Sequence, residues 1–183
     1  MGGSTSSQKP NNDILAEPES EKISIPDVEP HYPPPYPPRR SKRDVFLKQD
    51  YVEVDEHAKQ APESLNNSWK DLTEYLTEGL TTDVQRLRSV FIWLGSQDIE
   101  GTNYENIKDK NSPLANMKLI KDRQGSYAVM FAKLCRAVNV PCALVRGYGK
   151  SVAYEVGDDE DKVKTLYNIW TTVFVQDNWH NVI

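Results

Sequence analysis

One stretch of the chain is apolar around most of a helical circumference, and it constrains the fold more than any other. Between residues 127 and 138 the apolar side chains are too frequent for a helix with one face in water: Val129, Met130, Phe131, Leu134, Cys135 and Val138. The polar segment "DRQGS" just before this stretch predicts a turn, with Ser126 as a helix cap or first-turn residue. We therefore expect a central helix that is buried by the other elements of the fold.

Two amphipathic helices are predicted ahead of the central one. In the first, apolar residues recur at helical spacing over residues 62–76, and Gly79 is suited to end it. The second begins at Thr82, where Gln85 three residues later completes the pattern of a capping box, and its apolar stripe lies before Gly95.

The residues around and after the central helix predict loops and strands. A polar loop containing Asn111-Ser112-Pro113 is expected before the helix, and an acidic, solvated loop at residues 157–162. Three strands are expected, the last two joined by a hairpin turn at residues 176–178: "CALVRGYG", "LYNIWTTVFV" and "WHNVI". Helices followed by strands indicate an α+β domain, with the central helix packed on an antiparallel sheet.

The first part of the chain has a different composition. Nine of the twelve prolines lie within residues 1–38, where no apolar periodicity is visible. Such a segment cannot bury enough apolar surface to fold. We expect a disordered, Pro-rich tail over residues 1–43, ending in a basic cluster, and a folded domain over residues 44–183.

The tail contains two overlapping motifs for polyproline recognition. The string "PHYPPPYPPRR" holds a PPxY motif and a PxxPxR motif, formed by Pro33, Pro34, Pro35, Tyr36, Pro37 and Arg39. These motifs are typical of ligands for WW and SH3 domains, because proline reduces the entropy lost on binding. The alternative interpretation of this segment is a stiff spacer.

The tail also carries two features that could together hold the chain at a membrane. Gly2, exposed after removal of Met1, fits the myristoylation pattern, and Arg39–Arg43 supplies four positive charges in five residues. One acyl chain with a basic cluster gives peripheral membrane contact. The alternative is that a Gly/Ser-rich start is only an ordinary tail.

Composition excludes several functional classes. A net charge of −5 and a pI near 5.3 argue against a nucleic-acid-binding protein. No apolar stretch is long enough for a membrane span or a secretory signal, which predicts a cytoplasmic protein. In that compartment Cys135 and Cys142 are expected to be reduced and buried. The three histidines are scattered, so no metal or other cofactor is predicted.

The order of elements and four sequence segments resemble a known family. The segments are "DEHAKQAPESL", "LTEYLTEGLTTDVQRLRSVFIWL", "SYAVMFAKLCRAVNVPCALVRGYGKSVAYEVGD" and "NIWTTVFVQDNWHNVI". They resemble the transglutaminase-like domain of the papain-like superfamily, in the form found in kyphoscoliosis peptidase and hillarin proteins. The resemblance covers residues 44–183, and it implies that the domain is incomplete at its C-terminal end.

The resemblance implies a Cys-His-Asp triad, and this chain lacks all three residues. The family pattern Cys-x-x-Tyr-Ala corresponds to a segment that begins with Gln124, and His-x-Trp-Asn to one that begins with Asn168. Ile183 falls at the position of the aspartate. An amide neither forms a thiolate-like nucleophile nor accepts a proton at neutral pH.

Two functions remain open from the sequence. The first is a catalytically inactive transglutaminase-like domain that acts as a protein-binding or scaffolding module, with cytoskeletal proteins among the partners that the resemblance implies. The alternative is an active cysteine-dependent acyl transferase or peptidase that uses Cys135 or Cys142. Both cysteines are interpreted as core residues, and His180 as a side chain near the former site.

Overall fold

The computed structural model describes residues 51–182, except residue 106 and residues 150–153, together with the isolated positions Pro34 and Leu47. The predicted disordered tail, Gly2, Arg39–Arg43 and all of the proline motifs except Pro34 lie outside the described residues, as does Ile183. Pro34 is exposed and belongs to no helix or strand.

The described chain forms helices first and a small sheet afterwards. In chain order the elements are α1 (Val52–Lys59), a 3-10 helix (Glu63–Asn67), α2 (Trp69–Leu76), α3 (Asp83–Ser96), α4 (Pro113–Lys121), α5 (Tyr127–Ala137), β1 (Cys142–Tyr148), α6 (Glu160–Lys164), β2 (Tyr167–Val175) and β3 (Asn178–Val182). The α+β class predicted from the sequence is confirmed.

Hydrogen bonds from capping side chains explain where α2 and α3 begin. Thr82 caps α3 through the predicted capping box: its Oγ1 accepts from the backbone N of Gln85 at 3.2 Å, and Gln85 Oε1 accepts from the Thr82 backbone N at 3.1 Å. The single helix expected over residues 62–76 is divided into two, because the Ser68 hydroxyl caps a new helix by accepting from Asp71 N.

Three sequence expectations about loops are wrong in detail. The loop expected at residues 111–113 is the start of α4, since Ser112 caps that helix and Pro113 occupies its first turn. The acidic loop at 157–162 contains the start of α6, which Asp159 caps. The hairpin turn consists of Gln176 and Asp177 alone, both at positive φ as a tight two-residue turn requires, and Asn178 belongs to β3.

The sheet is antiparallel in the order β1-β2-β3 and has two unlike faces. The register pairs Cys142 with Val173 and Leu144 with Thr171, and these side chains share the face that packs on α5. Successive strand residues alternate between faces. Trp170 therefore lies on the opposite, outer face, where its ring lies 3.5 Å from the position that a Gly147 side chain would occupy.

The predicted central helix is α5, and it is buried as expected. It contacts α2, α3 and α4 as well as β1 and β2. Met130, Leu134 and Cys135 have almost no exposed surface. Neighbours on several sides explain why apolar residues occupy most of its circumference. No helix among the described residues is long and apolar enough to cross a membrane.

A half-buried ion pair fastens α1 to α3. Arg88 donates from Nε and from a terminal nitrogen to the two carboxylate oxygens of Asp55, each at 2.7 Å, and the two side chains are only 22% and 12% exposed. The pKa of Arg88 is raised by this hydrogen bonding. Nearby, the His57 ring stacks on Tyr75, with 4.3 Å between centroids, which joins α1 to α2. The first helix is thus held by polar and aromatic contacts in addition to the burial of Val54 and Ala58.

Replacing Asp55 with alanine tests the importance of this ion pair. Asp55→Ala leaves the Arg88 guanidinium half-buried without its carboxylate, and we expect the free energy of unfolding to fall by about 2–3 kcal/mol. Glu74→Ala removes an exposed pair with Lys70, which should change stability by less than about 0.5 kcal/mol. Urea unfolding midpoints measure both effects, and equal losses in the two variants would contradict this role for Asp55.

Candidate functional site

The candidate site is the N-terminal end, or head, of α5, where sequence reasoning places Gln124. The turn that leads into it is built on the C-terminal end of α4. Arg123 adopts a left-handed conformation (φ 58°), its backbone N donates to Ile120 O at 3.0 Å, and Gln124 N donates to Leu119 O at 2.8 Å. This pair of hydrogen bonds is a Schellman motif. Gln124 is therefore placed by the end of the preceding helix.

Gly125 allows the turn to pass close to α4. A Cβ atom at this position would lie 3.1 Å from Leu119 Cβ and 3.3 Å from Ile120 N. The next residue, Ser126, caps α5 by accepting from Val129 N at 3.2 Å. The prediction that Ser126 is a helix cap is confirmed, so its hydroxyl has a structural partner.

A buried hydrogen bond fixes the head of α5 against the sheet. Thr171 of β2 is fully buried, and its hydroxyl donates to Ala128 O at 2.8 Å. Ala128 lies four residues after Gln124, and Thr171 three residues after Asn168. The two positions that sequence reasoning assigned to the triad thus flank one contact between helix and strand.

Gln124 and Asn168 are both exposed. Asn168 alternates with Thr171 along β2 and so lies on the outer face of the sheet, with Trp170. Its side-chain oxygen accepts from the backbone N of Ile169 at 2.8 Å. Among the described residues no hydrogen bond joins the side chains of Gln124 and Asn168. The third position, Ile183, lies outside the described residues.

The two cysteines lie in the core, away from the head of α5. Cys135 and Cys142 are free thiols with at most 1% of their surface exposed. Burial raises the pKa of the Cys135 thiol well above its usual value. Cys142 Sγ donates to Ala132 O at 3.4 Å. The prediction that both are buried is confirmed, and burial disfavours thiolate formation at Cys135.

His180 lies in β3, opposite Val173 in the register, and is half-buried. It therefore shares the face of the sheet that packs on α5, two register positions from the pair formed by Thr171 and Val182. Within the described part of the chain, no group of three His, Cys, Asp or Glu side chains could hold a metal ion.

The sheet extends past the head of α5, and sequence reasoning missed the surface that this creates. Beyond the Leu144–Thr171 pair, the face on the α5 side continues with the pairs Arg146–Ile169 and Tyr148–Tyr167. Tyr148 and Tyr167 are 57% and 44% exposed and contact each other edge to face, with 5.7 Å between ring centroids. We call these four residues the overhang surface. The alternation along residues 142–148 was the available signal for it.

A shallow cavity of about 290 Å³ lies at the opposite end of α5. It is formed where the C-terminal ends of α2 and α5 meet α3, and it is lined by Thr73, Glu74, Thr77, Leu80, Arg86, Ala137, Val138 and Asn139. None of the predicted site residues lines it. The cavity is therefore separate from the candidate site at the head of α5.

Comparison with known proteins identifies relatives of the described domain. A family model for the transglutaminase-like superfamily matches residues 70–182. The chain is 29% identical over 151 residues to the "Lim and transglutaminase domain protein ltd-1" of Caenorhabditis elegans and 26% identical over 151 residues to Hillarin of Drosophila melanogaster, covering 82% of this chain in each case. It is 25% identical over 122 residues, or 65% of the chain, to the Kyphoscoliosis peptidase of Mus musculus. The matched part is about a fifth of each relative's length, at 21%, 18% and 18%.

A pair of glycine substitutions tests how the head of α5 is built. Gly125→Ala forces the added methyl group against the backbone of α4, and we expect a loss of about 1–2 kcal/mol in unfolding free energy. Gly95→Ala, in α3, places a methyl group where no atom outside the neighbouring part of its own helix lies within 4 Å, and it should stabilise the protein by about 0.5 kcal/mol through helix propensity. Thermal or urea unfolding measures both. If both variants changed the unfolding free energy in the same direction, the close contact at Gly125 would be relaxed in solution.

Proposed function

Because the chain belongs to the transglutaminase-like superfamily, we propose that it is a member without catalytic activity that binds other proteins. The observation that carries the proposal is Gln124 at the head of α5, at the position where the family resemblance places a cysteine nucleophile. The proposed loss of activity concerns only the domain described above, because the chain spans about a fifth of the length of its relatives.

The chemistry of the residues at the head of α5 supports this proposal. The amino end of a helix favours a thiolate there, because its unpaired N–H groups carry partial positive charge. A carboxamide has no proton that can leave at neutral pH, so the same environment cannot activate Gln124. Asn168 likewise cannot act as a base, and its carboxamide is engaged with Ile169 N. The Ser126 hydroxyl is engaged as a cap.

The overhang surface supports the binding part of the proposal. Exposed aromatic side chains that contact each other are typical of protein interfaces, where tyrosine combines a large apolar ring with a hydrogen-bonding hydroxyl. Tyr148 and Tyr167 are arranged in this way, and Arg146 lies on the same face. Tyr127, at the start of α5, is also more than half exposed. A partner segment could lie along this face, beside the head of α5.

The setting of this binding activity is part of the same proposal. We propose a cytoplasmic scaffold, associated with the cytoskeleton, as the family resemblance implies. The tail motifs around Pro33–Arg39 would recruit WW or SH3 domains, and Gly2 with Arg39–Arg43 would allow contact with a membrane surface. One relative is named a peptidase. That activity is not proposed for this chain, because of Gln124.

Thiol labelling tests the proposed loss of catalysis. With a thiol-directed electrophile at neutral pH, we expect Cys135 and Cys142 to react more slowly in the folded protein than in the unfolded chain, because both are buried. Gln124→Cys supplies a matched accessible thiol at the head of α5 and should react much faster. Mass spectrometry of the labelled peptides gives the rates. Rapid labelling of a native cysteine that is lost on unfolding would contradict the proposal and favour an active cysteine enzyme.

A capture experiment with paired variants tests the proposed binding surface. Proteins held by the immobilised full chain should be lost with the double variant Tyr148→Ala/Tyr167→Ala, which removes two exposed rings. Phe91→Ala removes another exposed ring, on α3, and should leave the captured set unchanged. Quantitative mass spectrometry compares the sets. An identical set from both variants would exclude the overhang surface as the binding site.

A further inference from the structure

The overhang surface has an acidic segment beside it. The chain between Tyr148 and Tyr167 leaves the sheet and returns to it, and Gly149 N donates to Leu166 O at 3.0 Å where its two ends meet. Residues 155–164 of this connection carry five carboxylates against two lysines. Glu160 and Asp161 each lie 3.2 Å from Lys164 Nζ, their side chains stay 85% and 93% exposed, and five carboxylates with two lysines leave the segment a net charge of −3. A tyrosine pair and a negative patch therefore lie next to each other at one end of the sheet.

The same chain contains a segment with complementary chemistry. Residues 33–43, "PPPYPPRRSKR", join a run of prolines and a tyrosine to four positive charges. Proline-rich segments bind aromatic surfaces because their rings pack flat and little entropy is lost. The order along the segment is apolar first and basic second, so it can match the tyrosine pair and the acidic connection together.

We propose that residues 33–43 bind the overhang surface of their own chain, with the prolines on Tyr148 and Tyr167 and the basic residues on the acidic connection. A polyproline helix has three residues per turn, so its residues form three rows. Pro33 with Tyr36 forms one row and Pro35 with Pro38 forms another, so two neighbouring rows can contact the tyrosine pair. The proposal uses the surface named under the proposed function and can be tested without any partner protein.

The length of the connecting chain permits binding within one molecule. Tyr51, where the described domain begins, lies fifteen positions after Tyr36, and an extended chain of this length spans about 50 Å. A domain of this size has a radius of gyration of about 14 Å, so the segment can reach most of the surface. A flexible tether of this length gives an effective concentration on the order of 1 mM. A weak contact between segment and surface is therefore enough to populate the bound state.

The consequence of this binding is competition between two interactions. While the segment lies on the overhang surface, its proline motifs are covered, and so is the surface. A WW or SH3 domain that binds the segment would uncover the tyrosine pair, and a partner on the tyrosine pair would release the segment. Binding at either place is thus coupled to binding at the other.

A paramagnetic label on the full chain tests the proposal. Ser41→Cys introduces a thiol beside the basic cluster, and a nitroxide will attach there because Cys135 and Cys142 are buried. We expect strong broadening of the amide signals of Tyr148, Tyr167 and their strand neighbours. The amides of Ala137, Val138 and Asn139, at the opposite end of α5, should be unaffected. Because the Debye length falls to about 3 Å at 1 M salt, added salt should reduce the broadening.

Variants and mixtures decide between the possible results. Pro35→Ala/Tyr36→Ala and Tyr148→Ala/Tyr167→Ala should each abolish the broadening, whereas Pro18→Ala/Pro26→Ala, a matched change elsewhere in the tail, should not. Mixing labelled chain with unlabelled, nitrogen-15-enriched chain should give no broadening. Broadening in that mixture would overturn binding within one chain in favour of binding between two copies. Uniform or absent broadening in the full chain would overturn the proposal, while the capture experiment above would still test the proposed function.

Discussion

The burial of α5 between three helices and a sheet is the constraint on which the rest of the structure depends. Because Met130, Leu134 and Cys135 have almost no exposed surface, the neighbouring elements must meet around this helix. The Thr171 hydroxyl then fixes the head of α5 to β2 through Ala128. Helix burial and one buried hydrogen bond together determine which residues stand at the head of the helix and which part of the sheet extends past it.

Much of this fold could be predicted from the sequence, because apolar periodicity and capping act locally. The run from Val129 to Val138 identified the central helix, and Thr82 with Gln85 identified the start of α3. The start of α4 was missed although Ser112 and Pro113 form a good helix start, because the polar residues before them suggested a loop. The division at Ser68 depends on its side chain capping α2 instead of extending one longer helix.

The candidate site could be predicted only in part. Position counting from Tyr127 and Trp170 led to Gln124 and Asn168, and the structure places both beside the contact between Ala128 and Thr171. The overhang surface could not be predicted in this way, because it depends on where α5 ends relative to the strands. That relation is set by the Schellman turn at Arg123 and the close approach at Gly125, which are three-dimensional features. Exposure of Tyr148 and Tyr167 follows from it.

We propose above all that this domain has the transglutaminase-like fold but no nucleophile at the head of its central helix. The most direct test is intact-mass measurement of the folded full chain after brief exposure to an activated ester such as p-nitrophenyl acetate, beside the Gln124→Cys variant. We predict no rapid acyl adduct on the native chain and one on the variant thiol. Rapid formation of a single adduct on the native chain, dependent on its folded state, would contradict the claim.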